Sequence, residues 1–249
     1  MNLRVFDDKS ALAKATADEA TRFIQEAIAA RGRARIVVAT GSSQIEFLEW
    51  LVTAPDIAWG QVELFHLDEY IGLSGDHPAS FQHYIRERIL ARVTVGRAWL
   101  LDGAADAEEE CKRVGEAIAA TPIDVTFAGI GENGHLAFND PPADFDTEEP
   151  YIVADLAERG RMQQVREGWF ASLEEVPRTA ITMSIRQILK ARAILCLVSG
   201  TRKAEAVNLC LEGDIGPMAP ASALRLHQNA TIFLDREAAA LLPRDQLSA

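Results

Sequence analysis

The residues best suited to chemistry lie in one glycine-rich stretch, residues 127–140, which reads FAGIGENGHLAFND. Closely spaced glycines let a backbone approach a ligand and adopt positive φ angles at little steric cost; here they are Gly129, Gly131 and Gly134. The stretch presents His135 and Asp140 before two prolines that exclude a helix. It follows an apolar run, and open α/β sheets bind ligands in polar loops at the carboxyl ends of their strands. A tight turn with a solvated histidine is the alternative on these residues alone.

Two adjacent carboxylates form a second pattern with chemical potential. Asp68 and Glu69 directly follow a predicted strand at residues 62–67. Two carboxylates near a core are costly to bury unless they are paired or exposed. One of them could serve as a general base. The alternative is a solvated loop in which Asp68 caps a neighbouring element.

Hydrogen-bond donors gather in the loop that follows a predicted buried strand at residues 35–39. The loop contains Thr40, Gly41, Ser42 and Ser43, and a helix is predicted to begin directly after it. In this arrangement the backbone amides and the positive end of the helix dipole face an anion, and the three hydroxyls add donors. A plain strand-to-helix turn with a serine cap is the alternative.

A similar loop follows the predicted buried strand at residues 193–198. It reads SGTRK and places Lys203 in the first turn of the next helix. A cation there is unfavourable to the helix dipole. Local propensity does not explain this lysine, whereas a bound anion would.

The segment at residues 157–170 is predicted to be a helix interrupted by glycines, and it is the richest cluster of donors in the chain. These donors are Arg159, Arg161, Gln163, Gln164 and Arg166. Such a helix could be a mobile lid, at about residues 155–176, that brings donors to a phosphate. An ordinary charged surface is the alternative.

Predicted strands alternate with predicted helices along the chain, for example the helix at residues 11–30 before the strand at residues 35–39. The alternation predicts an α/β fold with a single doubly wound, mostly parallel sheet and helices on both of its faces. The chain has 249 residues, and it shows no repeat and no long linker. We therefore expect one domain that spans residues 1–249.

Composition narrows the classes of function. The net charge is −12 and the pI is about 4.9, which argues against non-specific binding of nucleic acid or of an anionic membrane. It leaves room for an anionic substrate, because a few local donors suffice to bind one phosphate. The three cysteines lack metal-binding spacing, so neither a disulfide framework nor a zinc site is expected. With no signal-peptide pattern and no apolar run near about 20 residues, we expect a cytoplasmic enzyme or binding protein.

Taken in order, these motifs resemble the glucosamine-6-phosphate deaminase (isomerase) family, whose fold is shared with 6-phosphogluconolactonase. The resemblance runs over nearly the whole chain. Each motif is modest alone, but their joint order and spacing are specific. The motifs are Thr40-Gly41-Ser42, LDEYIG at residues 67–72, His77-Pro78, GIGENGHLAFN at residues 129–139, Val176-Pro177 and Ser199-Gly-x-x-Lys203.

The resemblance implies the conversion of glucosamine 6-phosphate and water to fructose 6-phosphate and ammonia, with no metal or organic cofactor. It implies that Asp68 moves a proton between C2 and C1, a step that needs a base beside a polarised carbonyl. It implies that His135 assists ring opening and that positions 133 and 140 orient this histidine. We assign the phosphate and substrate contacts to Thr40, Gly41, Ser42, Ser43, Gly131, Gly134 and Lys203.

This chain departs from the best-known members of that family at three positions. They have an aspartate where Asn133 stands, and an amide cannot stabilise an imidazolium by charge. They have a glutamate where Asp140 stands, and the shorter carboxylate sits about 1.5 Å back unless the loop compensates. Their lid arginine aligns near Gly168, which leaves Arg161 and Arg166 as candidate replacements.

The stretch at residues 148–153 has no lysine or arginine. The basic residues of the allosteric site in hexameric bacterial members would fall there, so such regulation is predicted to be absent. The sequence leaves the oligomeric state open.

The continuation AFNDP after His135 favours a deaminase, because lactonases of this fold typically continue with Ala-Ser-Leu-Phe-Pro. A 6-phosphogluconolactonase, or another sugar-phosphate isomerase on the same fold, is the first alternative. A sugar-phosphate sensor without catalysis is the second, and the presence of both Asp68 and His135 weighs against it.

Overall fold

The larger of two sheets carries the loops singled out above. The computed structural model describes residues 1–243. Seven strands form this sheet: β1 Asn2–Phe6, β2 Ala34–Val38, β3 Val62–His66, β5 Arg97–Trp99, β6 Val125–Ala128, β9 Ala193–Val198 and β10 Ala230–Asp235. They run parallel in the order β1-β10-β9-β6-β2-β3-β5. The predicted α/β fold with a doubly wound, mostly parallel sheet is confirmed.

Helices cover both faces of the larger sheet. One face packs against α1 Lys9–Arg31, α2 Gln44–Thr53 and α3 Phe81–Ile85, which a π turn at Arg86–Leu90 continues. The other face packs against α4 Ala107–Ala119, α6 Ile185–Leu189 and α7 Ala204–Glu212. No helix within residues 1–243 has the length and the apolar character needed to cross a bilayer.

Strand β2 shows why the sequences of the central strands are continuous apolar runs. Ile36 and Val38 belong to the hydrophobic cluster on one face, whereas Val37 belongs to the cluster on the other. Successive side chains of a strand point to opposite faces. A parallel strand covered by helices on both faces therefore needs apolar residues at every position.

A second sheet has three antiparallel strands in the order β4-β8-β7: β4 Asp68–Tyr70, β7 Tyr151–Asp155 and β8 Thr179–Met183. The sequence had indicated a single sheet, so this small sheet is an addition to the predicted fold. Leu67 alone separates β3 from β4, and its carbonyl accepts the amide of Met183 at 3.0 Å. The sheet therefore fixes the point at which the chain leaves β3 and presents Asp68.

Candidate active site

A pocket lies at the carboxyl edge of the larger sheet, where the loops after β9, β6, β2 and β3 converge. These four strands are neighbours in the sheet, so the loops that follow them meet. Helix α5, Glu158–Arg166, contributes to the wall from outside the sheet. The polar side chains of the wall are Thr40, Ser42, Ser43, Gln44, Asp68, His135, Gln163, Gln164, Glu167 and Lys203.

Asp68 lies in the pocket wall at the start of β4, with only 6% of its surface exposed. Burial, and after it the negative charge of Glu69, raises the pKa of Asp68 to about 8. An aspartate with such a pKa is, once ionised, a much stronger base than an ordinary one. It is therefore suited to taking a proton from carbon.

Glu69 points away from Asp68 and anchors the start of α3. Its Oε1 accepts the amides of Tyr70 at 2.9 Å and Phe81 at 3.1 Å. Its Oε2 accepts the Ser80 hydroxyl and the Gln82 amide, each at 2.7 Å. Alternation along β4 places the two carboxylates on opposite sides, so one lies in the pocket wall and the other in the scaffold, as the assignment of Asp68 rather than Glu69 requires.

His135 is held by a carboxylate and an amide from its own loop. Its Nδ1 lies 3.2 Å from Oδ1 of Asp140, so the shorter side chain at position 140 does reach the imidazole. The side chain of Asn133 donates to the same Oδ1 at 2.6 Å and accepts the backbone amide of His135 at 3.2 Å. Asn133 therefore orients the pair through the carboxylate and the backbone rather than through the imidazole itself.

The charge on Asp140 fixes the protonation pattern of this pair. Burial raises the pKa of Asp140, but the hydrogen bond and the charge of His135, together with hydrogen bonds from Asn133 and the amide of Ala157, outweigh burial, so the net shift is downward. An ionised Asp140 accepts, so the neutral imidazole carries its proton on Nδ1. The remaining nitrogen, Nε2, is then a proton acceptor in the pocket wall.

Gly131 and Gly134 allow the loop to fold closely around the imidazole. A Cβ at Gly131 would lie 2.2 Å from Cε1 and Nε2 of His135. Gly134 has a φ of 85°, and its carbonyl accepts the amide of Ala221 at 2.9 Å. Glycine is thus required at 131 by close approach and at 134 by backbone conformation.

The loop after β2 and the residue Lys203 form a corner suited to an anion. Gly41 has a φ of 112°, which turns the loop, and the hydroxyl of Ser43 lies 3.3 Å from that of Ser199. The hydroxyl of Thr40 is buried without a partner in the described part of the chain. Lys203 is only 8% exposed, and burial lowers its pKa. Buried polar groups without partners are costly, and an anion bound here would satisfy both.

Neither arginine predicted for the pocket lines it. The guanidinium of Arg161 donates to the carbonyls of Leu173 and Val176 and so ties α5 to the segment after it. Arg166 pairs with Glu132, as does Arg202. The guanidinium groups of both arginines are thus held by protein oxygens outside the pocket wall, and a contact of either with the substrate stays a prediction.

The pocket wall instead receives Gln163 and Gln164 from α5 and Glu167 from the position directly after it. Gln163 forms a hydrogen bond at each end of its amide: Oε1 accepts the Glu132 amide at 2.9 Å, and Nε2 donates to Glu167 at 2.7 Å. Gln164 is only 6% exposed. Both glutamines belonged to the donor cluster read from the sequence, whereas Glu167 was missed; its spacing from Gln163, i to i+4, was the available signal.

Aromatic residues, which the sequence had not singled out as site residues, close another part of the pocket. Phe81 and Phe138 line the wall, with ring centroids 5.6 Å apart and an interplanar angle of 12°. Tyr70 packs beside both rings, 4.9 Å from Phe81 and 5.0 Å from Phe138. Such apolar surface excludes water from the side of the pocket that it covers.

The chain matches the family model described as glucosamine-6-phosphate isomerases/6-phosphogluconolactonase over residues 7–233. A relative named glucosamine-6-phosphate deaminase, from Lactobacillus delbrueckii subsp. bulgaricus, is 33% identical over 243 residues, which cover 97% of this chain and 100% of the relative. One of the same name from Thermoanaerobacter sp. is 36% identical over 236 residues, 92% of each chain. Another from Streptococcus pneumoniae is 35% identical over 216 residues, 86% of this chain and 90% of the relative.

Solved structures show the same likeness. A monomeric glucosamine-6-phosphate deaminase superposes with a TM-score of 0.89 at 34% identity, covering 97% of this chain and 100% of that one. The 6-phosphogluconolactonase from Shewanella baltica gives a TM-score of 0.77 at 24% identity, with 94% and 97% covered. That from Trypanosoma brucei gives 0.81 at 19% identity, with 97% and 98% covered. The two lactonases share the fold at lower identity.

Proposed function

This chain belongs to the family of glucosamine-6-phosphate isomerases and 6-phosphogluconolactonases, and we propose that it acts as a glucosamine-6-phosphate deaminase. The reaction converts glucosamine 6-phosphate and water to fructose 6-phosphate and ammonia. One observation carries the proposal: Asp68, the His135–Asp140 pair and Lys203 come together around a single pocket. Relatives that bear this name match 86% or more of the chain at 33–36% identity.

The phosphate of the substrate is assigned to the corner made by Lys203 and the loop Thr40-Gly41-Ser42-Ser43. Amides at the start of α2 and the positive end of its dipole face an anion there. Lys203 adds one buried cation, and charge-assisted hydrogen bonds of this kind are stronger than neutral ones. The phosphate thereby fixes the far end of the sugar while C1 and C2 react.

Ring opening is assigned to His135. Its Nε2 accepts the proton of the hydroxyl at C1, and the ionised carboxylate of Asp140 stabilises the imidazolium that forms. The imidazolium then returns the proton to the ring oxygen as the bond between that oxygen and C1 breaks. The product is the open-chain aldehyde, whose carbonyl makes the hydrogen on C2 acidic.

Proton transfer from C2 to C1 is assigned to Asp68. The ionised carboxylate removes the proton from C2, and the carbonyl oxygen at C1 gains a proton that the ammonium group at C2 gives up. The result is an enol with a double bond between C1 and C2 and a neutral amine on C2. Asp68 then delivers the proton to C1, which leaves an imine at C2. Water adds to this imine and ammonia leaves, so the reaction balances without a further reagent.

Two assays run side by side test this function. Glucosamine 6-phosphate should yield ammonia and fructose 6-phosphate, whereas 6-phosphogluconolactone should hydrolyse no faster than without protein. Lactone hydrolysis without ammonia release would move the assignment to the lactonase branch of the family. The Asp68→Asn variant separates the two chemistries further, because lactone hydrolysis requires no proton transfer at C2.

A further inference from the structure

The pocket wall contributed by α5 carries a negative charge where the sequence had suggested positive ones. Within residues 1–243, Lys203 is the one lysine or arginine that lines the pocket, and Glu167 is the carboxylate that faces it from the segment directly after α5. Arg161 and Arg166 are engaged by protein oxygens. A pocket that served only to hold a phosphate would gain nothing from Glu167.

The carboxylate of Glu167 is held in position by two neighbours. Its Oε1 accepts a hydrogen bond from Gln163 at 2.7 Å, and its Oε2 accepts one from the indole of Trp169 at 3.4 Å. Gln163 is in turn bound to the Glu132 amide on the central loop at 2.9 Å. These contacts fix a carboxylate that is only half-buried, and they leave it capacity to accept further hydrogen bonds.

The charge of Glu167 acts on Lys203 in the pocket wall and on Tyr70, which packs against the aromatic rings of that wall. Burial lowers the pKa of Lys203, and Glu167 opposes that shift more than any other neighbouring charge does. Burial also raises the pKa of Tyr70, and the negative charges of Asp68, Glu69 and Glu167 raise it further. Glu167 therefore shares one pocket lining with Lys203, which is assigned to the phosphate, and with Asp68, which is assigned to C2.

A carboxylate in that place has opposite effects on two kinds of ligand. It weakens the binding of every sugar phosphate, because its negative charge competes with the phosphate for Lys203. A ligand with an ammonium group regains this affinity, because the ammonium can donate a charge-assisted hydrogen bond to the carboxylate. Specificity is a difference between affinities, and a repulsive group contributes to it as much as an attractive one does.

We propose that Glu167 is a specificity-determining residue whose carboxylate accepts the ammonium group of an amino-sugar phosphate and disfavours sugar phosphates that lack one. The assignment rests on the proposed deaminase function, because that function places an amine in the pocket. It adds a role for Glu167 that ring opening and proton transfer do not require. If Glu167 only balances the charge of Lys203, it will affect all phosphates alike.

Two ligands that differ only in the amine separate these roles. The open-chain alcohols 2-amino-2-deoxyglucitol 6-phosphate and glucitol 6-phosphate lack the carbonyl and so cannot react. Their dissociation constants are measured by calorimetry for the full chain and for Glu167→Gln, whose amide oxygen can still accept from Gln163. Glu158→Gln is the matched control, since it removes the same charge from an exposed position at the start of α5.

The wild-type protein should bind the amine ligand more tightly than the amine-free one. In Glu167→Gln this preference should fall about tenfold, which is the worth of one hydrogen bond to a charged group, with tighter binding of glucitol 6-phosphate as part of the change. Glu158→Gln should keep the wild-type ratio. A Glu167→Asp variant retains the charge and should keep most of the preference.

An equal change for both ligands in Glu167→Gln would overturn the proposal and leave Glu167 as a counter-ion of Lys203. A thermal melt of each variant shows whether it is folded, and Glu167→Ala, which also removes the charge, carries the test if Glu167→Gln is not. Ammonia release by the wild-type protein is measured separately. A protein that releases ammonia but keeps its ligand ratio in Glu167→Gln rejects this inference alone, whereas one that releases none rejects the proposed function.

Discussion

Asp140 joins His135 to helix α5: its Oδ1 lies 3.2 Å from the imidazole Nδ1, while its Oδ2 accepts the amide of Ala157 at 2.8 Å. Ala157 is the residue that precedes α5. A Cβ at Gly160 would lie 3.1 Å from both carboxylate oxygens, so the helix approaches Asp140 closely. The orientation of the imidazole and the position of the helix that lines the pocket therefore depend on one carboxylate.

Replacing Asp140 with asparagine should lower kcat about 10- to 100-fold, as loss of an orienting partner does at other sites. The amide keeps the shape but cannot stabilise an imidazolium by charge, and it can donate to Nδ1 and so favour the wrong tautomer. Steady-state ammonia release measures kcat, and circular dichroism shows whether the variant is folded. Wild-type kcat in a folded Asp140→Asn protein would show that the charge on Asp140 is not used.

Replacing Gly131 with alanine should displace the imidazole, because the new methyl carbon would lie 2.2 Å from the ring of His135. We expect a loss of kcat of at least about tenfold, since small errors in the position of a catalytic group are costly. Gly60→Ala is the matched control, because a Cβ there meets nothing within 4 Å. Equal kinetics for the two variants would mean that the imidazole is not held against residue 131 during turnover.

Replacing Asp68 with asparagine should abolish proton exchange at C2. The variant should also become more stable than the wild-type protein as the pH rises. Folding raises the pKa of Asp68 to about 8, whereas the unfolded side chain titrates near about 4. At pH values between these two pKa values, Asp68 keeps its proton in the folded state but has lost it in the unfolded state. The free energy of unfolding of the wild-type protein therefore falls as the pH rises through this range. The asparagine side chain of the variant does not titrate and avoids that loss.

The melting temperatures of wild type and Asp68→Asn should be similar near pH 4 and differ by at least about 2–4 °C near pH 8, which corresponds to about 1 kcal/mol for a chain of this size. Differential scanning calorimetry across this range measures the difference. A constant difference at all pH values would show that Asp68 is not shifted. Exchange of the C2 hydrogen in the variant would reject Asp68 as the base.

Replacing Lys203 with methionine should weaken phosphate binding while stabilising the empty protein. Lys203 is 8% exposed, and burial lowers its pKa, so its charge costs folding energy until an anion is bound. We expect the dissociation constant of inorganic phosphate to rise at least about tenfold and the melting temperature without phosphate to rise. Wild type should show a rise in melting temperature with added phosphate that the variant lacks. An equal response in both would remove Lys203 from the phosphate site.

The sequence by itself determined which loops form the pocket. Alternating strand and helix patterns predicted a parallel sheet, and the carboxyl ends of parallel strands meet at one edge. Thr40, Asp68, His135 and Lys203 each follow a strand of that sheet, and the structure places all four in one pocket wall. Residue types near the strand ends were sufficient to locate the site, because the loops that follow parallel strands lie at the same edge of the sheet.

Only the tertiary structure decided which side chains point into the pocket. Asp68 and Glu69 are chemically alike, and the pairing of β4 with β8 turns one inward and the other toward α3. Arg166 and Glu167 are adjacent, and the docking of α5 against the central loop gives the pocket Glu167 and gives Arg166 to Glu132.

These choices depend on contacts between residues far apart in the chain. Asp140 reaches Ala157, and Glu132 meets both Arg166 and Arg202. Periodicity tells which residues share a face of a helix or strand, but the partners that pack against it decide which face turns inward. Spacing in the sequence therefore located the site, and long-range packing selected the charges within it.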